Sequence, residues 1–249
     1  MLKYLRRIYN FYLSPEKEFV RRLYRLVGFK PAYLHLFKLA FQHKSNNQEV
    51  EDRKRYGKQN NERLEYLGDA VLGTIVAEYL YGKYPTEDEG FLTKMRSKIV
   101  KRRSLNEIGD NMGLDELLST YNNVRIAKSM LGNAVEALVG AVYLDQGYKG
   151  TKRFVIRQML RNYVDVEQLE TYDDNYKSQL LEHCQKNGMD VGYSVVKRFK
   201  QDKRDRFKVA VNIGGERVAV GEDFNKKSAE QLASRRALQN MGLQVSKKR

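Results

Sequence analysis

Apolar residues recur every three to four positions from the start of the chain to about Tyr163, and proline is rare, with Pro15, Pro31 and Pro85 the only three. That spacing keeps apolar side chains on one helix face. The first two-thirds of the chain is therefore expected to form an all-helical domain, with Pro31 and Pro85 in short connections between helices. Within it, Leu64, Leu67, Val71 and Ile75 fall at i, i+3, i+7 and i+11 and predict a buried stripe. Ala134 to Leu144 is apolar almost all round and predicts a buried helix. The polar, charged run from Asn46 to Asn60 reads as a loop. The acidic, weakly periodic run from Val164 to Asp174 reads as a linker.

The period changes from Asn175 onward. Asn175 to Lys186 predicts a helix and Tyr193 to Lys197 a strand. Phe207 to Ile213 alternates with period two, and Gly214-Gly215 turns it tightly into Arg217 to Val220. A last helix is expected from about Lys226 to Met241, with Asn225 as its N-cap. The fold class read from these patterns is an all-α domain followed by a small α+β domain of order α-β-β-β-α. No internal repeat is evident.

Length and charge narrow the partners. The chain has 249 residues, enough for one sizeable core and a small domain. Its net charge is +15 and its pI about 9.7, an excess that implies a polyanion, either nucleic acid or an anionic membrane. Cys184 is the single cysteine, so no intramolecular disulfide forms, and a reducing, cytoplasmic location is expected. Cys184 itself reads as a packing residue. No apolar run approaches the ~20 residues that cross a bilayer. Met1 to Pro15 carries Lys3, Arg6 and Arg7 and no acid. It lacks the apolar core and small-residue cleavage site of a secretory signal. It is either a packed helix or a basic arm touching RNA or membrane.

Candidate chemistry lies in two acidic segments. Glu62, Glu65 and Asp69 stand at i, i+3 and i+7 and share one narrow arc of a helix. Glu65 and Asp69 repel at i, i+4. No Lys or Arg lies four residues after Glu62 or Glu65, where Tyr66 and Asp69 stand instead. The row is either a solvated face or a site for a hard divalent cation, which takes carboxylate oxygens. Glu136 is the only charge within the apolar run 134–144, and Asn133 lies one turn earlier on the same face. A buried carboxylate needs a partner or a metal. Glu136 belongs either to a buried salt bridge with an arginine or, if the two acidic helices pack together, to a carboxylate cluster for Mg²⁺.

The run Glu62-Arg63-Leu64-Glu65-Tyr66-Leu67-Gly68-Asp69-Ala70-Val71-Leu72 resembles the signature of the ribonuclease III family. Family-like pieces surround it in order: Phe41-Gln42-His43-Lys44-Ser45 before it, then Glu89 to Ser97, then Val100 to Leu105, then the helix of Asn133 and Glu136. The resemblance spans about Phe19 to Gly242. It implies a basic N-terminal arm at 1–18, an endonuclease domain at 19–165, a linker at 166–174, a double-stranded-RNA-binding domain at 175–243 and a basic tail at 244–249. In the second domain, Lys226 and Lys227 stand at a helix N-terminus, where free N–H groups and the dipole already favour phosphate. Solvent exposure alone is the other reading of that pair, and Arg235 and Arg236 further along are expected to be solvated. Glu182 and Gln185 match family positions that reach the shallow minor groove and its 2′-hydroxyls. The loop between the first two strands departs from the family. Lys200-Gln201-Asp202-Lys203-Arg204-Asp205-Arg206 replaces its usual Gly-Pro and His.

The resemblance implies metal-assisted phosphodiester hydrolysis of double-stranded RNA, with Glu65, Asp69, Asn133 and Glu136 as metal ligands and Glu62 as an outer acid. Mg²⁺ is the expected ion, with Mn²⁺ able to substitute. The implied assembly is a homodimer that leaves short 3′ overhangs, with Tyr66 at the dimer contact in place of the usual Phe. Ribosomal RNA precursors and structured messages are the implied substrates. Asn133 is the main departure, because the family has Asp there. An Asn carbonyl coordinates a cation without adding negative charge. Weaker metal affinity, or a changed Mg²⁺/Mn²⁺ preference, is expected. If Asn133 instead marks a decayed site, the protein is a silent duplex binder. A third reading, a membrane-surface protein, accounts for the charge but not the acids, and no membrane partner is expected.

Overall fold

A computed structural model describes residues 2–42, 61–122, 127–171, 174–202 and 204–243. The expected loop 46–60, His43 to Ser45, Lys203 and the tail 244–249 lie outside the described residues. The chain divides into two compact units, Met1–Val166 and Glu167–Arg249.

In the first unit the described residues form helices throughout, as the periodicity predicts. They are α1 (Leu2–Tyr12), α2 (Lys17–Val27), α3 (Leu34–Ala40), α4 (Glu62–Lys83), α5 (Glu89–Val100), α6 (Arg102–Asn111), α7 (Leu114–Tyr121) and α8 (Lys128–Phe154). A π-helical segment, Val155–Leu160, carries α8 on towards Tyr163. The chain's local chemistry marks the helix ends. Gly28 takes a left-handed φ of 77° and closes α2 by donating to the Tyr24 carbonyl. Asp88 caps α5 by accepting from the Phe91 N–H at 2.7 Å. Phe37, Phe41, Leu72, Ile75, Leu80, Met95, Ile99, Leu105 and Phe154 are fully buried in the core.

Helices α4 and α8 are the central pair, and their contact differs from the one expected. The buried face of α4 is Leu64, Gly68, Leu72, Ile75, Val76 and Leu80. Leu67 and Val71 are only half-buried. The face rotates toward glycine because the two backbones touch there. A Cβ on Gly68 would overlap the Glu136 carbonyl oxygen and stand 2.9 Å from the Gly140 nitrogen, and one on Gly140 would overlap the Leu64 carbonyl. Two bulky stripes would hold the helices apart, so glycines on both sides set the spacing. Farther along, Glu78 of α4 takes a hydrogen bond from Lys152 of α8 at 2.6 Å. That bond lies beyond Gly147, whose φ of 68° and ψ of −179° break α8, so it is the glycine contact that sets the carboxylate positions of α4 beside Glu136.

The second unit has the expected α-β-β-β-α order. After a short helix α9 (Val166–Thr171), inside the segment read as a linker, come α10 (Tyr176–Lys186), β1 (Val191–Gln201), β2 (Arg204–Ile213), β3 (Glu216–Asp223) and α11 (Lys226–Asn240). The sheet is antiparallel in the order β1-β2-β3, and Ala210 faces both Ser194 and Val220. Gly214 and Gly215 both have positive φ and make the β2–β3 turn. All three strands are longer than the alternation alone predicts. Cross-strand hydrogen bonding carries them past the buried positions, so Gln201 still pairs with Arg204 at the β1–β2 tip. Leu180, Cys184, Val211, Ala219, Ala233 and Ala237 form the core. Cys184 is fully buried there, and burial pushes its thiol pKa up.

Candidate functional site

On α4, Glu62 and Asp69 are exposed and Glu65 is half-buried. On α8, Asn133 and Glu136 are half-buried in a stretch whose neighbours Gly132, Ala134, Val135 and Ala137 are all buried. The Gly68 contact places Glu136 alongside α4. Burial, reinforced by the negative charges of Asp69 and Glu65, pushes the Glu136 carboxyl up to about 7, and the Arg102 guanidinium opposes the rise. Among the described residues, no three His, Cys, Asp or Glu side chains form a preassembled metal cage. The acids are close enough to repel but not gathered to ligand distance.

Arg102, the first residue of α6, donates through Nη2 to the Asn133 Oδ1 at 3.2 Å. Asn106, one turn on, accepts from the Gly132 N–H at 2.8 Å. Together they tie the start of α8 to α6. Sequence reasoning assigned no part to Arg102, Asn106, Gly68 or Gly140. For the glycines, the signal was an interruption of two otherwise apolar helices by residues with no side chain. Lys98 of α5 is buried at 8% exposure, unusual for a lysine. Tyr66 points out of α4 at 83% exposure.

In the second unit, Asn225 caps α11 by accepting from the Ser228 N–H at 2.8 Å, as expected. Lys226 and Lys227 follow it, both exposed, with the Lys226 Nζ 3.9 Å from the Glu230 carboxylate. Glu182 and Gln185 are exposed one turn apart on α10. Arg235 and Arg236 are not simply solvated. The Arg235 guanidinium lies 5.5 Å over the Tyr176 ring, and Arg236 donates to the Val220 carbonyl at 2.6 Å. In the cation-rich stretch between the first two strands, Gln201 pairs with Arg204 and Asp202 takes a φ of 51°. Strand arginines beside it are engaged locally, Arg198 of β1 with Asp205 at 3.0 Å and Arg206 of β2 with Glu222 at 2.8 Å.

Residues 34–163 match the Ribonuclease-III-like family and residues 176–241 the double-stranded RNA binding motif. The fold and the acidic helices thus define a nuclease domain joined to an RNA-binding domain. Ribonuclease 3 of Zunongwangia profunda is 42% identical over 234 residues, covering 94% of this chain and 95% of its own. That of Flavobacterium psychrophilum is 39% identical over 224 residues, 90% of each. The nuclease domain of ribonuclease III from Campylobacter jejuni aligns at a TM-score of 0.49 and 29% identity, over 58% of this chain and 98% of that one. The chain belongs to the ribonuclease III family and is an endoribonuclease.

Proposed function

We propose that the protein cleaves double-stranded RNA by metal-dependent phosphodiester hydrolysis. Each member of a homodimer cuts one strand and leaves short 3′ overhangs. The observation that carries this reading is the raised carboxyl of Glu136 beside Asp69 and Glu65. Like charges pressed together across two helices are unfavourable until a cation joins them. The oxygen donors of Glu65, Asp69, Asn133 and Glu136 fit a hard divalent ion in type and charge, Mg²⁺ with Mn²⁺ able to substitute. When bound, such an ion polarises a phosphoryl oxygen and lowers the pKa of a bound water.

The chain's own residues set the conditions. The glycine contact between α4 and α8 fixes the spacing of the acids, and Arg102 orients the Asn133 amide so that its oxygen faces the guanidinium. Glu62, in the first turn of α4, acts as the outer acid that sets the site or meets the substrate. Lys226 and Lys227 straddle phosphates across a groove, aided by the α11 N-terminus. Glu182 and Gln185 reach the minor groove and its 2′-hydroxyls, so the domain reads A-form shape. The exposed Tyr66 ring suits burial against a second copy. In this reading the nuclease domain is 19–165, the linker 166–174 and the RNA-binding domain 175–243. The substrates are ribosomal RNA precursors and structured messages in the cytoplasm.

One observation favours a second reading, a silent duplex binder: Asn133 brings no charge, and its oxygen is engaged by Arg102. Cleavage of a long labelled RNA duplex, with Mg²⁺ present and then chelated, separates the two. Single-stranded RNA and Glu136→Ala are the controls. Metal-dependent cutting of the duplex alone, lost in the variant, is the expected result. Tight duplex binding without cutting in either Mg²⁺ or Mn²⁺ leaves the silent binder.

A further inference from the structure

Helix α1 is docked by its polar side. Lys3, Arg7 and Asn10, at i, i+4 and i+7, face the rest of the unit. Asn10 donates to the carbonyls of Pro31 and Ala32, both at 3.1 Å. Arg7 donates to the Gln146 Oε1 at 2.8 Å, and Lys3 donates to the Asp145 carbonyl. The opposite face is apolar and turned outward. Leu2, Leu5, Tyr9 and Tyr12, at i, i+3, i+7 and i+10, are 86%, 56%, 53% and 54% exposed, and Leu13 beyond them is 71% exposed. A helix in a globular domain normally buries such a face. Scattered exposed apolar residues need no explanation, but a continuous stripe does.

We propose that this outward face of α1 is a membrane-surface site that takes an anionic lipid bilayer at the boundary of headgroups and acyl chains. The charge around the stripe is complementary to such a surface. Residues 1–15 contain no acid. Exposed Arg6 borders the stripe on the side of Leu2. Lys30 borders it at the other edge, bonded to the Tyr12 hydroxyl at 3.0 Å and 4.5 Å over the rings of both Phe11 and Tyr12. Tyrosines with wet hydroxyls and apolar rings belong at that depth, and lysines and arginines gain from anionic headgroups. The other occupants fit less well. Duplex RNA offers phosphates and hydroxyls, which leave three leucines in water. A second copy needs about 800 Å² per partner, whereas a helix of 11 residues is only ~16 Å long and ~10 Å wide. No helix among the described residues is long and apolar enough to cross a membrane, so the contact is peripheral. The sequence alone led to the expectation of no membrane partner, and the proposal departs from it because of the direction in which α1 faces. The proposal does not depend on the nuclease chemistry.

The test is flotation of the full chain with vesicles of phosphatidylcholine alone and with added phosphatidylglycerol. The parent is expected to float with the anionic vesicles. Leu5→Glu combined with Tyr9→Glu should weaken that binding about ten-fold or more. It should leave thermal stability and duplex cleavage unchanged, because both side chains point to solvent. The chain has no tryptophan, so Leu5→Trp supplies a single reporter whose emission should shift to the blue on anionic vesicles. Three results overturn the proposal. One is no flotation. Another is equal flotation of parent and double variant, which puts the binding on net charge elsewhere. The third is a lower solution mass for the double variant, which makes a second copy the occupant.

Discussion

The two units hold their candidate site residues in opposite ways. In the nuclease unit, Glu136 sits half-buried among apolar neighbours, and its charge is opposed by burial and by two acids on the facing helix. In the RNA-binding unit, Lys226, Lys227, Glu182 and Gln185 are exposed on helices whose ends and edges are secured by other residues, Asn225 and Arg236 among them. In the proposed function, the first arrangement stores repulsion that a divalent cation relieves. The second needs only the right spacing of charge in water. Changes in the first unit should therefore couple activity to stability, with opposite signs where the change removes repulsion. Changes in the second should alter affinity alone.

The strongest way to break this contrast is Gly68→Ala. Its Cβ would collide with the Glu136 backbone, which cannot swing away as a side-chain tip can. The helices must separate, at a cost of about 3 kcal/mol, and the acids move apart. Cleavage should fall to background, and the melting temperature should drop. Gly82→Ala on the same helix meets nothing within 4 Å and should be neutral or gain about 0.5 kcal/mol. Equal behaviour of the two variants in a thermal melt and a cleavage assay would show that the backbone contact does not set the site.

Glu136→Gln comes next and carries the signature of stored repulsion. The folded-state pKa of about 7 lies above the ordinary value of 4.5. Between those values the native protein binds more protons than the unfolded chain, so metal-free stability falls as pH rises through that window and stays low above it. Near pH 8 the Gln variant should be the more stable protein, by on the order of 1 kcal/mol because the site is partly solvated. The gap should close below about pH 4.5. Duplex cleavage should drop at least about 100-fold in the same variant. Denaturant melts of both proteins across pH decide the matter. A parent whose stability is flat across that window, or a variant no more stable than it, contradicts the stored-repulsion account.

How much of this was legible in the sequence follows from the same physics. Periods of 3.6 and two reveal which residues share a face, so both domains, the order α-β-β-β-α and the Asn225 cap could be read directly. The acids were readable too, because charges in an apolar run stand out. The rotation of the α4 face was not. Leu64, Leu67, Val71 and Ile75 make as good a stripe on paper as Leu64, Gly68, Leu72 and Ile75. Only the partner helix, with glycine at 140, decides between them. Nor could α1 be oriented. Its two faces are equally regular, and it turns the polar one inward because Pro31, Ala32, Asp145 and Gln146 present hydrogen-bonding groups there. Arginines offered the same difficulty. Arg102, Arg198, Arg206 and Arg236 look alike in a basic chain, yet each has a different local partner.

Asn133→Asp sharpens the comparison from within the nuclease unit. It restores a carboxylate next to Glu136 and within reach of Arg102. Two outcomes are expected together: lower stability of the metal-free protein at neutral pH, and an Mg²⁺ requirement for cleavage reduced about ten-fold, since an added anionic ligand strengthens binding of a hard cation. Titration of cleavage rate against Mg²⁺ and Mn²⁺ is the measurement. An unchanged requirement would place Asn133 outside the metal's reach and leave it as a partner of Arg102 alone.

The smallest effect belongs to the RNA-binding unit and tests the other half of the contrast. Lys227→Gln and Lys226→Gln each remove one exposed cation from the start of α11. The Asn225 cap that holds the helix is untouched. Each should weaken duplex binding several-fold and reduce the slope of log affinity against log salt by about 1, because one fewer counterion is released. Lys226 lies 3.9 Å from Glu230, and part of its charge is already answered there, so Lys227→Gln should be the more damaging of the two. The melting temperature should not move in either. Filter binding at several salt concentrations, run beside a thermal melt, reads both quantities. A stability change as large as that of Glu136→Gln would show that these lysines, too, are held under strain, and the division between stored repulsion and free charge would not hold.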